Sequence, residues 1–169
     1  KKFLILASPR SGTNSSADFL QQLNYKVGHE NMQNDGISSW MCAVHSNHYP
    51  FQKSLNLQEF HFENIIHIVR NPFNMIPSLI LENKYSPNNK SYLFRRHFIQ
   101  KEFNINLPEN TLNHNLTQDI ETAILTYIYW NKIIEKKKIT LTIKLENLNS
   151  LNRFSKNNKK IEKLVKKNQ

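Results

Sequence analysis

Phe3-Leu4-Ile5-Leu6-Ala7-Ser8-Pro9-Arg10-Ser11-Gly12-Thr13 is the stretch that decides the fold class of this 169-residue chain. Five consecutive apolar residues closed by Ser8-Pro9 read as a strand buried on both faces, which is how strands of a parallel sheet read. A turn at Gly12 follows. Beyond it, Ser15 or Ser16 can cap a helix that carries Phe19, Leu20 and Leu23 on one side. The order is strand, tight loop, helix.

The same order returns downstream. Ile65-Ile66-His67-Ile68-Val69 is a second buried-strand run, ending in Arg70-Asn71-Pro72. Pro72 suits the first turn of a helix, and Phe73, Ile76, Leu79 and Ile80 supply an apolar side. Pro77 demands a later helix start or a kink. A longer helix fits 118–137, where Ile120, Ile124, Tyr127/Ile128 and Ile134 recur at helical spacing, before Lys136-Lys137-Lys138 at its dipole's negative end. Ile139, Leu141, Ile143 and Leu145 then alternate with polar residues, the pattern of a half-exposed strand. Tyr25–Glu30 reads as a short strand and turn. The Asn- and Lys-rich stretches 83–90, 104–118 and 152–160 read as loops. Strands separated by helices imply an α/β fold, a parallel sheet with helices packed on it.

Length and composition bound the rest. The chain is one domain's worth, and at 38% hydrophobic it can bury a core. There is no long apolar run to span a membrane and no recognisable signal peptide, so the expected location is cytoplasmic. One cysteine, Cys42, excludes an internal disulfide and reads as a buried thiol. The net charge is +10, of which +6 lies in residues 153–169, leaving residues 1–152 only mildly basic. The division is a domain over 1–152 and a basic tail over 153–169, the tail reading as a solvated end rather than a nucleic-acid arm.

A phosphate needs several backbone N–H groups aimed at one point, and a Gly-containing turn feeding a helix N-terminus provides them. In Pro9-Arg10-Ser11-Gly12-Thr13, Arg10 can neutralise charge there. Thr13, Asn14, Ser15 and Ser16 add short polar side chains. The loop is not G-x-x-x-x-G-K-[ST] and not G-x-G-x-x-G, which disfavours the usual ATP or GTP site. The plainer alternative is an ordinary strand-to-helix turn with an exposed Arg. Arg70 closes the second buried strand. Ligands of parallel sheets sit at the carboxyl ends of strands, so Arg70 can share a crevice with the Pro9–Thr13 loop. Ser78, eight residues on, can bring its hydroxyl to the same anion as the guanidinium. Taken alone, this pair reads first as an Arg in a salt bridge at a strand end and a Ser on a polar helix face.

Together the two segments resemble the sulfotransferases that use 3′-phosphoadenosine-5′-phosphosulfate. Ser8-Pro9-Arg10-Ser11-Gly12-Thr13 is similar to that family's loop for the 5′-phosphosulfate. His67-Ile68-Val69-Arg70-Asn71-Pro72 with Ser78 is similar to its 3′-phosphate site. The 125–134 helix with Trp130 and the run Leu145-Glu146-Asn147-Leu148 resemble later family features, so the likeness spans 3–150 in order. It implies a P-loop-type three-layer α/β/α sandwich. It also implies in-line sulfuryl transfer to a hydroxyl or amine without a metal, and 3′,5′-bisphosphoadenosine as product. Arg10 would take the place of the family's Lys or Arg at the leaving oxygen. By the same resemblance Pro9, Arg10, Ser11, Gly12, Thr13, Asn14, Arg70 and Ser78 hold the donor. The family's glycine-rich C-terminal lid has no counterpart, since no glycine follows Gly36.

The acceptor, a glycan, lipid or small metabolite, needs a base within hydrogen-bond reach. Two residues qualify by resemblance: Glu30 in Gly28-His29-Glu30, and His48 in Ser46-Asn47-His48-Tyr49-Pro50. Glu30 is preferred, because a carboxylate at a strand end is better fixed than a histidine in a polar loop. His29 can orient Glu30 or touch substrate. Trp40 can stack on a ring or sit in the core. The alternatives are a nucleotide phosphotransferase, a nucleotide-binding domain without catalysis and a basic nucleic-acid module. The last is disfavoured because the excess charge lies in the tail.

Overall fold

A computed structural model describes residues 1–51, 55–85 and 90–148. The basic tail 153–169 and the boundary at 152 lie outside the described residues, as do the whole of the loop 152–160 and part of 83–90. The central sheet has five parallel strands: β1 (Phe3–Ala7), β2 (Val27–His29), β3 (Gly36–Ser38), β4 (Asn64–Val69) and β5 (Leu141–Lys144), in the spatial order β2-β3-β1-β4-β5. Among the described residues it is flanked by the helices α1 (Thr13–Gln22), α2 (Pro72–Tyr85), α3 (Lys90–Phe103) and α4 (Leu116–Glu135).

Alternation along β1 divides the core. Phe3, Ile5 and Ala7 pack with Ile66, Ile68 and the α1 residues Phe19, Leu20 and Leu23. Leu4 and Leu6 face the other way, onto Trp40, Met41, Phe98, Ile99, Trp130 and Ile134. Helices thus cover both faces, and the fold is a three-layer α/β/α sandwich with an all-parallel sheet, as expected. β1 is wholly buried and β5, at the edge, is half-exposed.

β1 pairs with β3 on one side and β4 on the other, with Phe3 opposite both Gly36 and Asn64. The chain leaves β1 through α1 on one face and leaves β4 through α2 toward the other. Neighbouring strand ends therefore part company between β1 and β4, which opens a crevice at their carboxyl ends.

Local details differ from expectation. The N-cap of α1 is Gly12 itself, with φ +91° and no capping side chain. Ser16 is instead buried, and its hydroxyl donates to the Gly12 carbonyl at 2.8 Å. α2 starts at Pro72 and runs through Pro77. Its buried residues are Met75, Leu79 and Asn83, while Phe73 is 84% exposed. α4 begins at Leu116, fastened by an Asn115–Gln118 capping box. Its inner face is Ala123, Thr126, Trp130, Ile133 and Ile134, whereas Ile120, Ile124 and Ile128 lie outward, each more than a third exposed. The helical spacing was right, but of that stripe Ile134 faces the core while Ile120, Ile124 and Ile128 face away from it. Among the described residues no helix is long and apolar enough to cross a membrane.

Candidate active site

The Pro9–Thr13 loop leaves β1 over its carboxyl end. Arg10 is held at φ 64°, a left-handed conformation that a side-chain-bearing residue rarely adopts. Gly12 is the second left-handed position, and a Cβ there would stand 2.4 Å from Leu145 Cδ1. The Ser8 and Ser11 hydroxyls meet at 2.8 Å, and the Ser11 N–H donates to the Ser8 carbonyl, closing the turn. The loop is therefore built, with its polar groups partly used to hold its own shape.

Arg70, at the end of β4, reaches across and donates from Nη1 to the Arg10 carbonyl at 2.6 Å. Arg10 donates from Nε to Ser78 Oγ at 2.9 Å. A serine hydroxyl that accepts this bond keeps its own O–H free to donate elsewhere. The Arg70 turn is pinned by Glu146, whose Oε1 accepts the Asn71 N–H at 2.8 Å. That hydrogen bond holds the Glu146 carboxyl below its ordinary pKa. The structure thus brings Arg10, Arg70 and Ser78 together across three separate elements.

A cleft of about 630 Å³ opens beside them, lined by Pro9, Arg10, Gly12, Thr13, Asn14 and Arg70 together with His29, Glu30, Trp40 and Glu82. This volume suits a small-molecule site. A second cavity, about 380 Å³, adjoins it through Arg70 and Leu145 and is walled by Ser15, Phe19, Asn74 and Glu146.

Glu30 stands at the end of β2 with φ 55°. Of the four non-glycine residues with positive φ among the described residues, two are asparagines, which tolerate it. The other two, Arg10 and Glu30, both line the cleft, and strained backbone of this kind gathers at functional sites. The Ser39 hydroxyl donates to Glu30 Oε2, and the Trp40 N–H donates to Oε1 at 3.4 Å. Burial nevertheless dominates and raises the carboxyl from 4.5 to about 7. His29 Nε2 lies 3.6 Å from Glu30 Oε1 and 3.0 Å from Thr13 Oγ1, linking carboxyl and loop. Burial lowers the pKa of His29.

Ser11 lies under the loop and is buried. His48 is exposed in an irregular segment and does not line the cleft. Trp40 does both things considered for it: it is 93% buried against Trp130, and it closes the cleft wall. Glu82 and Ser39 were missed, Glu82 because an acidic residue on a helix reads as surface. Among the described residues no cluster of three or more His, Cys, Asp or Glu side chains is arranged to hold a metal ion. Comparison with family models, curated proteins and solved structures finds no match for the chain.

Proposed function

We propose that the chain is a sulfotransferase, moving a sulfuryl group from 3′-phosphoadenosine-5′-phosphosulfate to a hydroxyl or amine of a glycan, lipid or small metabolite. One observation carries the reading. A single cleft is lined both by an arginine-bearing anion loop and by a largely buried carboxyl raised to about 7. A base poised near the working pH is what deprotonation of an acceptor requires.

The roles follow from position. The Pro9–Thr13 loop and Asn14 face the 5′ end of the donor. Arg70, which lines both cavities, takes the second phosphate with Ser78, which itself lines neither cavity and is joined to the loop through Arg10. Glu30 accepts the acceptor proton as the new bond to sulfur forms. The bond from sulfur to the bridging oxygen breaks, and Arg10 stabilises the charge that builds there, as in phosphoryl transfer. The product is 3′,5′-bisphosphoadenosine. A nucleotide phosphotransferase and a noncatalytic nucleotide-binding domain are the competing readings. A noncatalytic domain leaves the raised Glu30 carboxyl without a use, and the usual nucleotide phosphotransferase is disfavoured by a loop without the Gly-Lys pair.

Calorimetry with 3′,5′-bisphosphoadenosine, 5′-AMP and ATP tests this directly. The bisphosphate should bind most tightly. Arg70→Ala should abolish that preference, since a charge-assisted contact to phosphate contributes roughly 1.5–3 kcal/mol. Absence of bisphosphate binding would refute the reading.

A further inference from the structure

Arg95 on α3 is a guanidinium with no exposed surface. Its Nη1 donates to Glu82 Oε1 at 3.1 Å and its Nη2 to Asn83 Oδ1 at 2.8 Å, while the guanidinium lies 5.2 Å from the centre of the Trp40 ring. Burial lowers its pKa, and Glu82 is the carboxylate that opposes this. The other oxygen of Glu82 lies 3.6 Å from Arg10 Nε. One carboxylate on the cleft wall therefore serves two cations.

The two are not equivalent. Arg95 is sealed beneath Trp40 and cannot turn away without stranding a buried charge, which is strongly unfavourable. Arg10 has a half-exposed side chain on the loop and can turn toward the cleft. Any anion arriving there competes for Arg10 with Glu82 and with the Ser78 hydroxyl that accepts from the same Nε, and Glu82 keeps Arg95 whatever the outcome.

We propose that Glu82 is the resting counter-ion of Arg10, and that a donor anion entering the cleft displaces it. This rests on the reading of the cleft as a donor site. Glu82 is then a positioning residue: it holds the loop arginine in the cleft between turnovers and lowers the affinity for every anion by the strength of that contact. The exchange offsets part of the charge change when a polyanion enters or leaves, so product is released more readily.

The test is bisphosphate calorimetry at fixed ionic strength on the full chain, Glu82→Gln, Arg10→Ala and the combination of the two. Removing a half-exposed ion pair should tighten 3′,5′-bisphosphoadenosine binding roughly two- to fivefold. In the Arg10→Ala background, Glu82→Gln should change nothing, because the coupling runs through that pair. Should Glu82→Gln fail to fold, Glu82→Gln with Arg95→Met removes both charges of that pair and is measured instead. Unchanged or weaker binding in a folded variant overturns the proposal and leaves the donor-site reading intact, as does a gain that survives Arg10→Ala. A wild-type chain that does not bind the bisphosphate overturns both.

Discussion

Glu30→Gln should make the protein more stable at neutral and alkaline pH while removing the proposed base. A carboxyl raised from 4.5 to about 7 in the folded chain burdens the ionised fold by roughly 3 kcal/mol relative to the unfolded chain. Because the folded pKa of this acid is the higher one, the folded state binds more protons between the two values. Its contribution is most favourable below about pH 4.5, declines as pH rises through the window, and is flat above about 7. Glutamine has the same shape and does not titrate. Its carbonyl can still accept from Ser39, but its amide cannot accept the Trp40 N–H, so the 3.4 Å contact is lost, at about 1 kcal/mol. The variant should thus be about 1 kcal/mol less stable than wild type near pH 4.5 and about 2 kcal/mol more stable at pH 8, from the same two effects. In a chain of this size that is a melting temperature higher by about 4–8 °C at pH 8. Urea unfolding of both proteins across pH 4.5–8, read as the difference between them, isolates this one group. A difference that stays constant with pH would show that Glu30 is not held protonated near neutrality, and the assignment of the base would lose its physical ground.

Sulfuryl transfer should rise with pH through about 7 as Glu30 ionises, and Glu30→Gln should lower kcat by about 10²–10⁴-fold and remove that limb of the profile. Gly36→Ala would place a Cβ 1.9 Å from the Phe3 carbonyl oxygen, within the β1–β3 pairing. A loss of about 3 kcal/mol or more, seen as a lowered urea midpoint or loss of soluble protein, is expected. Burial pushes the Cys42 thiol up to about 12, so a disulfide reagent at pH 8 should titrate it only after unfolding in guanidinium.

The parts of this architecture that could be read in the sequence were those where burial imposes a simple pattern. β1 and the core of β4 are buried on both faces, and an uninterrupted apolar run has no other economical explanation. α3 was invisible because its inner face is mixed: Ser91, Tyr92 and Arg95 are buried beside Phe98 and Ile99, so no apolar stripe repeats at helical spacing. On α4 the stripe that repeats most regularly is the outward one, and the core side includes Asp119, Thr122 and Thr126, whose polarity conceals their burial. At the site, glycine and arginine types marked the loop. Glu82 carried no such mark, since its significance comes from Arg95, a partner thirteen residues away on another helix.

The position of β1 bears on how the chain acquires its structure. It precedes the other four strands of the sheet in the chain and lies at the sheet's centre, where both its partners come later in sequence. An all-parallel sheet allows no hairpin to serve as an early local nucleus, so pairing must wait for long-range closure. The contact between the Arg10 carbonyl and Arg70 spans sixty residues. A nascent chain truncated before β4 would therefore carry a fully apolar strand with one side unmatched. On the ribosome, β1 is a natural target for chaperones that shield hydrophobic segments until the downstream partner emerges.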